Sequence, residues 1–151
     1  MAALNDYLKT QARKDMAARV AVCFVAVPES DRGCIAGFYT LSWATILRAE
    51  LSDQKLLKKL PHYRNFPAAL LGRLARSLQF KGQGLGGRLM ISALERAVAG
   101  SSEVASWAMV TDPKDVKASG FYADFGFRRL CGDLMFLPMK MAAAWLKPSA
   151  P

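Results

Sequence analysis

The chain has 151 residues, of which 52% are hydrophobic and 22% are charged. That length suits one domain, because a second domain would have too little core, and that composition excludes a disordered chain. Lysine and arginine outnumber aspartate and glutamate by 21 to 12, a formal charge of +9. Such a charge attracts nucleic acid, nucleotide cofactors or acidic proteins, although many proteins are basic and merely soluble. We expect one domain over residues 1–146 and a frayed tail over 147–151.

Cysteine and histidine are too few and too scattered to form a metal site. Cys23, Cys34 and Cys131 make no C-x-x-C pair, and His62 is the single histidine, which also argues against a hydrolase triad. We therefore expect no metal and three reduced, buried thiols, as is typical of a cytoplasmic protein. No stretch reaches the roughly 20 apolar residues of a membrane span, so we expect no membrane partner.

The first half of the chain predicts a basic helix and then a hairpin. Apolar residues recur at helical spacing over Ala3–Ala18, with basic residues on the opposing side. Strand-forming residues over Arg19–Val27 and Cys34–Trp43 flank a turn-rich segment, which predicts a hairpin. From Ile46 to Phe66 we expect a short helix and an irregular basic loop, with Pro61 and Pro67 as breakers.

The second half predicts a strand, a helix and a strand, then a helix closed by Gly126 and two short strands. In chain order these elements are Ala68–Leu78, Gly84–Ala99, Val104–Val110, Lys114–Phe125, Phe127–Leu130 and Leu134–Met139. The order is that of a mixed α/β domain.

A glycine-rich segment lies where the strand ends and the helix begins. It consists of Lys81, Gly82, Gln83, Gly84, Leu85, Gly86 and Gly87. Glycine lets a phosphate approach the backbone closely, and the first N–H groups of a helix have no partner within the helix. The segment therefore suits a pyrophosphate, and the alternative is that its glycines only form a turn.

The same segment satisfies the dinucleotide fingerprint G-x-G-x-x-G. That fingerprint belongs at the first strand of a nucleotide-binding half, whereas here it begins beyond the midpoint of the chain and too little chain follows. The preceding strand also carries Arg73 and Arg76, unlike a fully buried parallel strand. A P-loop is excluded because no Gly-Lys-Ser/Thr follows. A dinucleotide site and a P-loop are thus both set aside.

Lys81 to Gly86 resembles the cofactor motif of the GNAT superfamily of N-acetyltransferases, Arg/Gln-x-x-Gly-x-Gly/Ala, with lysine at the first position. Asp115 to Phe127 resembles the family's Asn-x-x-Ala-x-x-x-Tyr helix and the Gly-Phe that follows it, with Asp115 where asparagine is common. The resemblance implies an α/β (α+β) GNAT fold. This fold has a central mixed, mostly antiparallel sheet with helices on both faces and the cofactor in the splay between two central strands.

The resemblance also implies which residues hold the cofactor, acetyl-CoA. The pantetheine arm would pair with the backbone of Leu74, Ala75 and Arg76. The glycine-rich segment would hold the pyrophosphate, and Asp115 is a further candidate for cofactor binding.

Three segments resemble the GNAT toxins of bacterial type II toxin–antitoxin modules, of the TacT and AtaT kind: Leu4–Leu8, Gly37–Ser42 and Leu71–Ala75. Members of that family acetylate the α-amine of aminoacyl-tRNA and stop translation. The resemblance implies a homodimer and a ribbon-helix-helix antitoxin as partner. The family has a strand before the first helix, which we expect this domain to lack.

Tyr122 is the candidate catalytic residue. An α-amine has a pKa of about 7.7 to 8.0, so a useful fraction is neutral near pH 7 and can attack a thioester without a dedicated base. The leaving thiolate gains from a proton donor, and the matching of Tyr122 to the family helix implies that role. The alternative is a core aromatic beside Phe121, Phe125 and Phe127. We expect Asp112 to cap the helix that follows it.

Basic residues near the cofactor motif and on the first helix are candidates for tRNA contact. They are Arg73, Arg88, Lys9 and Arg13. The alternative for each is a solvated surface. Two other functions stay open: an ordinary GNAT enzyme acting on a small amine or a protein N-terminus, and a module that binds acetyl-CoA or an antitoxin without catalysis.

Overall fold

The computed structural model describes residues 2–147, with side chains from residue 5 onward. Six helices and six strands lie in this part of the chain. The helices are α1 (Ala2–Thr10), α2 (Ala12–Ala18), α3 (Gln54–Lys59), α4 (Leu85–Gly100), α5 (Val116–Asp124) and α6 (Met139–Leu146). The strands are β1 (Val22–Ala26), β2 (Gly37–Leu47), β3 (Asn65–Arg76), β4 (Ala108–Thr111), β5 (Arg128–Arg129) and β6 (Met135–Pro138).

The six strands form one mixed, mostly antiparallel sheet in the order β1-β2-β3-β4-β6-β5, and helices complete the α/β fold. The predicted hairpin is confirmed, because β1 pairs antiparallel with β2 from Val22 opposite Leu41 to Ala26 opposite Gly37. Strand β6 pairs antiparallel with both β4 and β5.

The chain divides into two compact units, each made of two stretches of sequence. The first comprises the described residues up to Ser42 together with Leu71–Leu94. The second comprises Trp43–Leu70 and the described residues from Glu95 onward. The single domain over residues 1–146 stays a prediction.

The core of the first unit joins α1 and α2 to the hairpin and the end of β3. Tyr7 stacks on Phe38 at 6.0 Å between ring centroids, and Ala12 and Ala75 are buried beside them. Gly37 lies where β2 meets β3 and α4. A Cβ on Gly37 would lie only 2.8 Å from the Ala75 carbonyl oxygen and from a Leu89 methyl group. A side chain would not fit there.

The core of the second unit is built on an aromatic row. Trp107 packs between Phe66 and Phe136, with ring centroids 5.4 and 5.8 Å away. Ile46, Leu51, Ala68, Ala108, Val110 and Leu130 complete the buried cluster. The apolar residues of α3, which are Leu56 and Leu57, pack against it.

Two predictions about breaks in the chain were wrong. The predicted helix over Ala3–Ala18 is two helices, because the backbone turns at Gln11 and α2 begins after it. Pro67 lies inside β3 and does not break it, since extended backbone accommodates the fixed φ of proline. Its carbonyl still accepts a hydrogen bond from the Trp107 N–H, at 2.8 Å.

The end of the chain also differs from the prediction. The last strand ends at Pro138, and Met139–Leu146 forms a helix that we did not predict. Its MKMAAAWL sequence is rich in strong helix formers. Of the predicted tail, residues 148–151 lie outside the described residues.

The cap of α5 was assigned to the wrong aspartate. Asp115 is the N-cap, and its side chain accepts a hydrogen bond from the Ala118 N–H at 2.8 Å, whereas Asp112 is exposed and three residues too early. The helix ends as predicted, with Gly126 at φ +95°.

The cysteines are free, as predicted, but the prediction that they are buried was wrong, because none of them is fully buried. Cys23 and Cys34 are half-buried, and Cys131 is exposed. No helix among residues 2–147 is long and apolar enough to cross a membrane.

Candidate functional site

The glycine-rich segment forms a turn between β3 and α4. A single 3-10 turn over Leu78–Phe80 follows the strand, and α4 begins at Leu85. Gly82 and Gly84 have φ of +82° and +72°, a backbone conformation that other residues rarely adopt. A Cβ at either position would meet nothing within 4 Å, so the turn is open on that side.

This turn presents backbone donors to an anion. The first N–H groups of α4 have no carbonyl partner within the helix, and the helix dipole places partial positive charge there. The first regular hydrogen bond of the helix runs from the Arg88 N–H to the Gly84 oxygen, at 3.2 Å. Lys81, Gln83 and Arg88 are exposed around the turn. The arrangement suits a phosphate group.

Arg76, at the end of β3, has an unsatisfied donor. Its Nη1 is buried and has no hydrogen-bond partner in the part of the chain that the structure describes. Arg76 also lines a cavity of about 270 Å³, whose wall includes Ala75, Phe38, Leu8 and Asn5. A buried cationic donor is costly when it is unpaired. An anionic or carbonyl group of a ligand would satisfy it.

Tyr122 is buried on α5 in the second unit, with 7% of its surface exposed. Its ring makes an edge contact with Phe121 and packs against Phe127. Its hydroxyl forms a side-chain hydrogen bond with Thr111, the buried last residue of β4. Burial raises the pKa of Tyr122 above its usual value of about 10, and the Thr111 hydrogen bond lowers it by a smaller amount. The hydroxyl therefore stays protonated at neutral pH.

Arg73 is the candidate tRNA contact with the most defined position. Its guanidinium lies 3.8 Å from the centroid of the Tyr7 ring, and the Tyr7 hydroxyl donates to Asp15 at 3.0 Å. Burial, followed by the Asp15 hydrogen bond, raises the pKa of Tyr7 to about 12. Cation–π attraction holds the guanidinium over the ring, and its N–H groups can still act as donors to a ligand.

The structure brings only some of the predicted site residues together within a unit. Leu74, Ala75, Arg76 and the glycine-rich segment belong to the first unit, as do Lys9, Arg13 and Arg88, which are exposed. Tyr122 and Asp115 belong to the second unit. The residues that the sequence did not single out are Thr111 and Tyr7, which contact the side chains of Tyr122 and Arg73. Thr111 directly follows the predicted strand Val104–Val110, and a polar residue at that strand end is the signal that could have found it.

No group of three or more His, Cys, Asp or Glu side chains that could hold a metal ion occurs among the described residues.

Comparison with known proteins finds similarity to bacterial toxins. No family model matches the sequence. Probable toxin TacT of Sinorhizobium fredii (strain NBRC 101917 / NGR234) is 26% identical over 145 residues, 89% of this chain and 78% of that protein.

Two solved structures extend the likeness to the whole fold. AtaT complexed with acetyl-methionyl-tRNAfMet is 27% identical, with a TM-score of 0.89 over 97% of this chain and 88% of that one. A tyrosine-to-phenylalanine variant of AtaT, bound to the C-terminus of the antitoxin AtaR and to acetyl-CoA, is 26% identical. Its TM-score is 0.78 over 95% of this chain and 83% of that one. The sheet order, the glycine turn and these likenesses agree with the GNAT resemblance of the sequence and make the chain similar to the toxins TacT and AtaT.

Proposed function

We propose that this protein is a toxin-like N-acetyltransferase that moves the acetyl group of acetyl-CoA to the α-amine of aminoacyl-tRNA and so blocks translation. The observation that carries the proposal is the open glycine turn at the start of α4, in a chain whose fold matches AtaT in complex with an acetylated aminoacyl-tRNA. The acetyl-CoA and antitoxin bound to AtaT support the same assignment.

The described residues fit acetyl-CoA. Gly82 and Gly84 leave open space where other residues would place a side chain, so the pyrophosphate can reach the N–H groups of the turn and of the first residues of α4. Backbone groups of Leu74 to Arg76 would pair with the pantetheine arm. The unsatisfied Nη1 of Arg76 is a free donor on the same strand. Acetyl-CoA supplies an acetyl group activated as a thioester.

Tyr122 supplies the proton that the reaction needs. The amine nitrogen bonds to the carbonyl carbon of the acetyl group, the carbon–sulfur bond breaks, and the sulfur takes the Tyr122 hydroxyl proton. The amine releases its extra proton to solvent, and the same solvent restores the tyrosine. A hydroxyl with a raised pKa is still protonated near pH 8, where a large fraction of the acceptor α-amine is neutral, so both reacting groups are in the required form.

The acceptor is assigned from charge and from amine chemistry. The net charge of +9 attracts a polyanion, and an α-amine is partly neutral at pH 7, unlike a lysine amine. The proposed phosphate contacts of the first unit are Arg73, which lies over the Tyr7 ring, and the exposed Arg88, Lys9 and Arg13.

The assembly of the protein is proposed from the family resemblance of its sequence. We expect a homodimer, inhibition by a ribbon-helix-helix antitoxin, and action in the bacterial cytoplasm, where charged tRNA is found.

Cell-free translation tests the proposal. Added protein with acetyl-CoA should stop synthesis, and a hydrolase that removes blocked aminoacyl-tRNA should restore it. Omission of acetyl-CoA is the control and should leave translation intact. Unchanged translation at saturating protein would refute the toxin function. Labelled acetyl groups in proteins or metabolites, and not in tRNA, would instead select an ordinary GNAT enzyme of a small amine or a protein N-terminus.

A further inference from the structure

A second basic surface lies on the segment between α3 and β3. Helix α3 places Leu56 and Leu57 against the core of the second unit and leaves Lys55, Lys58 and Lys59 exposed. The chain then continues through His62 and Tyr63 to Arg64, all of them exposed. We call Lys55, Lys58, Lys59, Tyr63 and Arg64 the α3 surface.

Arg48 fixes the backbone of this segment. Its guanidinium donates to the carbonyl oxygens of Leu57, at 3.2 Å, and Pro61, at 2.8 Å. The Arg48 N–H also donates to the Arg64 carbonyl at 2.7 Å. A loop held by several such bonds loses little conformational entropy when a ligand binds. The α3 surface is therefore preorganised.

The positive charge of this surface is not neutralised by neighbouring acids. Asp53 caps α3 by accepting from the Lys55 and Leu56 N–H groups, and it pairs with Arg128 at 2.6 Å. Glu50 accepts from the Leu47 N–H and from the Cys131 thiol. Within the part of the chain that the structure describes, no carboxylate pairs with Lys55, Lys58, Lys59 or Arg64.

Tyr63 adds an aromatic face to these charges. Its side chain is 66% exposed, although burial of a tyrosine ring in a core or interface is usually favourable. An exposed ring that follows Lys59 and precedes Arg64 in the chain matches what single-stranded nucleic acid requires, since phosphates bind cations and unpaired bases stack on aromatic rings. An acidic peptide would use the charges but would not need the ring.

We propose that the α3 surface binds the unpaired, negatively charged part of the tRNA. Lys55, Lys58, Lys59 and Arg64 contact phosphates, and Tyr63 stacks on an unpaired base. This inference rests on the proposed function, because it assumes an RNA substrate, and it adds a contact surface in the second unit to the candidates of the first.

The test measures binding of deacylated tRNA to the full chain over a range of salt concentrations, so no turnover is needed. One variant is Lys55→Ser with Lys58→Ser and Lys59→Ser. Its matched control removes the same charge elsewhere on the surface, through Lys117→Ser with Lys140→Ser and Lys147→Ser. Tyr63→Ala and Tyr63→Phe form the second pair.

The lysine variant should bind at least about tenfold more weakly than its control. Its plot of log affinity against log salt should be shallower by about 2 to 3, since each lost phosphate contact removes about 0.7 to 0.9. Tyr63→Ala should weaken binding about tenfold with little change in that slope, and Tyr63→Phe should bind like the natural protein.

Each other outcome counts against the inference in a distinct way. If the natural protein binds tRNA and the lysine variant equals its control, the α3 surface is not the RNA contact while the proposed function stands. An unchanged affinity in Tyr63→Ala would overturn the stacking role. Poly-glutamate serves as a second probe in the same assay. If the lysine variant keeps its affinity for tRNA and loses affinity for poly-glutamate, the surface recognises an acidic protein and not RNA. If the natural protein binds no tRNA, the proposed substrate fails as well.

Discussion

At the scale of single residues, the environment of Tyr122 decides what its hydroxyl can do. Burial among Phe121 and Phe127 disfavours the phenolate, and the hydrogen bond with Thr111 only partly offsets this. The pKa of Tyr122 is therefore raised, and the group is an acid and not a base near pH 7. The two sequence-based interpretations of Tyr122, core aromatic and proton donor, are compatible, because the packing of the ring holds the hydroxyl in place.

Tyr122→Phe should remove most of the turnover and leave the affinity for acetyl-CoA unchanged. The ring and its packing are kept, and only the hydroxyl is lost, so kcat should fall by about 10² to 10⁴-fold, as for the loss of a general acid. Steady-state kinetics and calorimetry with a non-reactive acetyl-CoA analogue measure the two quantities.

Tyr39→Phe is the matched control for this variant. Tyr39 is also buried, and its hydroxyl shares a hydrogen bond with Ser92 at 2.7 Å, but we assign it no part in the reaction. Its turnover should equal that of the natural protein. Full activity in Tyr122→Phe would rule out the proton-donor role.

At the scale of elements, α5 shows how a cap sets the start of a helix that carries a functional residue. Asp115 has extended backbone, and its carboxylate takes up the Ala118 N–H, which would otherwise lack a partner within the helix. Tyr122 lies seven residues later, so its placement depends on this start. Cofactor binding by Asp115 stays a prediction.

Asp115→Ala should lower the free energy of unfolding by about 1 kcal/mol, the usual loss for an N-cap. Asp115→Asn should keep most of that stability, because asparagine caps equally well. Asp112→Ala, at an exposed position without a capping role, should change stability little. Urea unfolding compares the three. Equal losses at both aspartates would mean that the cap is not at Asp115.

The elements that the sequence predicted well are those with a strong local signal. The hairpin of β1 and β2, helix α4 with its glycine start, and the Gly126 end of α5 each follow from periodicity or from glycine conformation. The break at Gln11 carries no proline or glycine, so helical periodicity runs through it. Helix α6 was hidden because apolar residues of β6 continue into an alanine-rich stretch without a change in hydrophobicity.

The site was less predictable than the fold for a physical reason. Glycine motifs mark a phosphate turn in one short segment. The hydrogen bond of Tyr122 instead joins it to Thr111, 11 positions away, and the ring contact of Arg73 joins it to Tyr7, 66 positions away. Such contacts arise from tertiary packing and leave no local pattern.

At the scale of the whole molecule, the charge of +9 is carried by both units. The first holds the glycine turn and Arg73, and the second holds Tyr122 and the α3 surface. A net positive charge attracts a polyanionic acceptor, whereas it gives a small amine no advantage. Charge distribution therefore favours aminoacyl-tRNA over the small-amine alternative.

The most direct measurement follows a labelled acetyl group from acetyl-CoA into a mixture of charged tRNA, free amines and protein. After the ester bond to tRNA is hydrolysed, mass spectrometry identifies the labelled product. We predict an N-acetyl amino acid released from tRNA, with none from deacylated tRNA and almost none with Tyr122→Phe. Label in proteins or small amines, with aminoacyl-tRNA unmodified at saturating enzyme, would contradict the account.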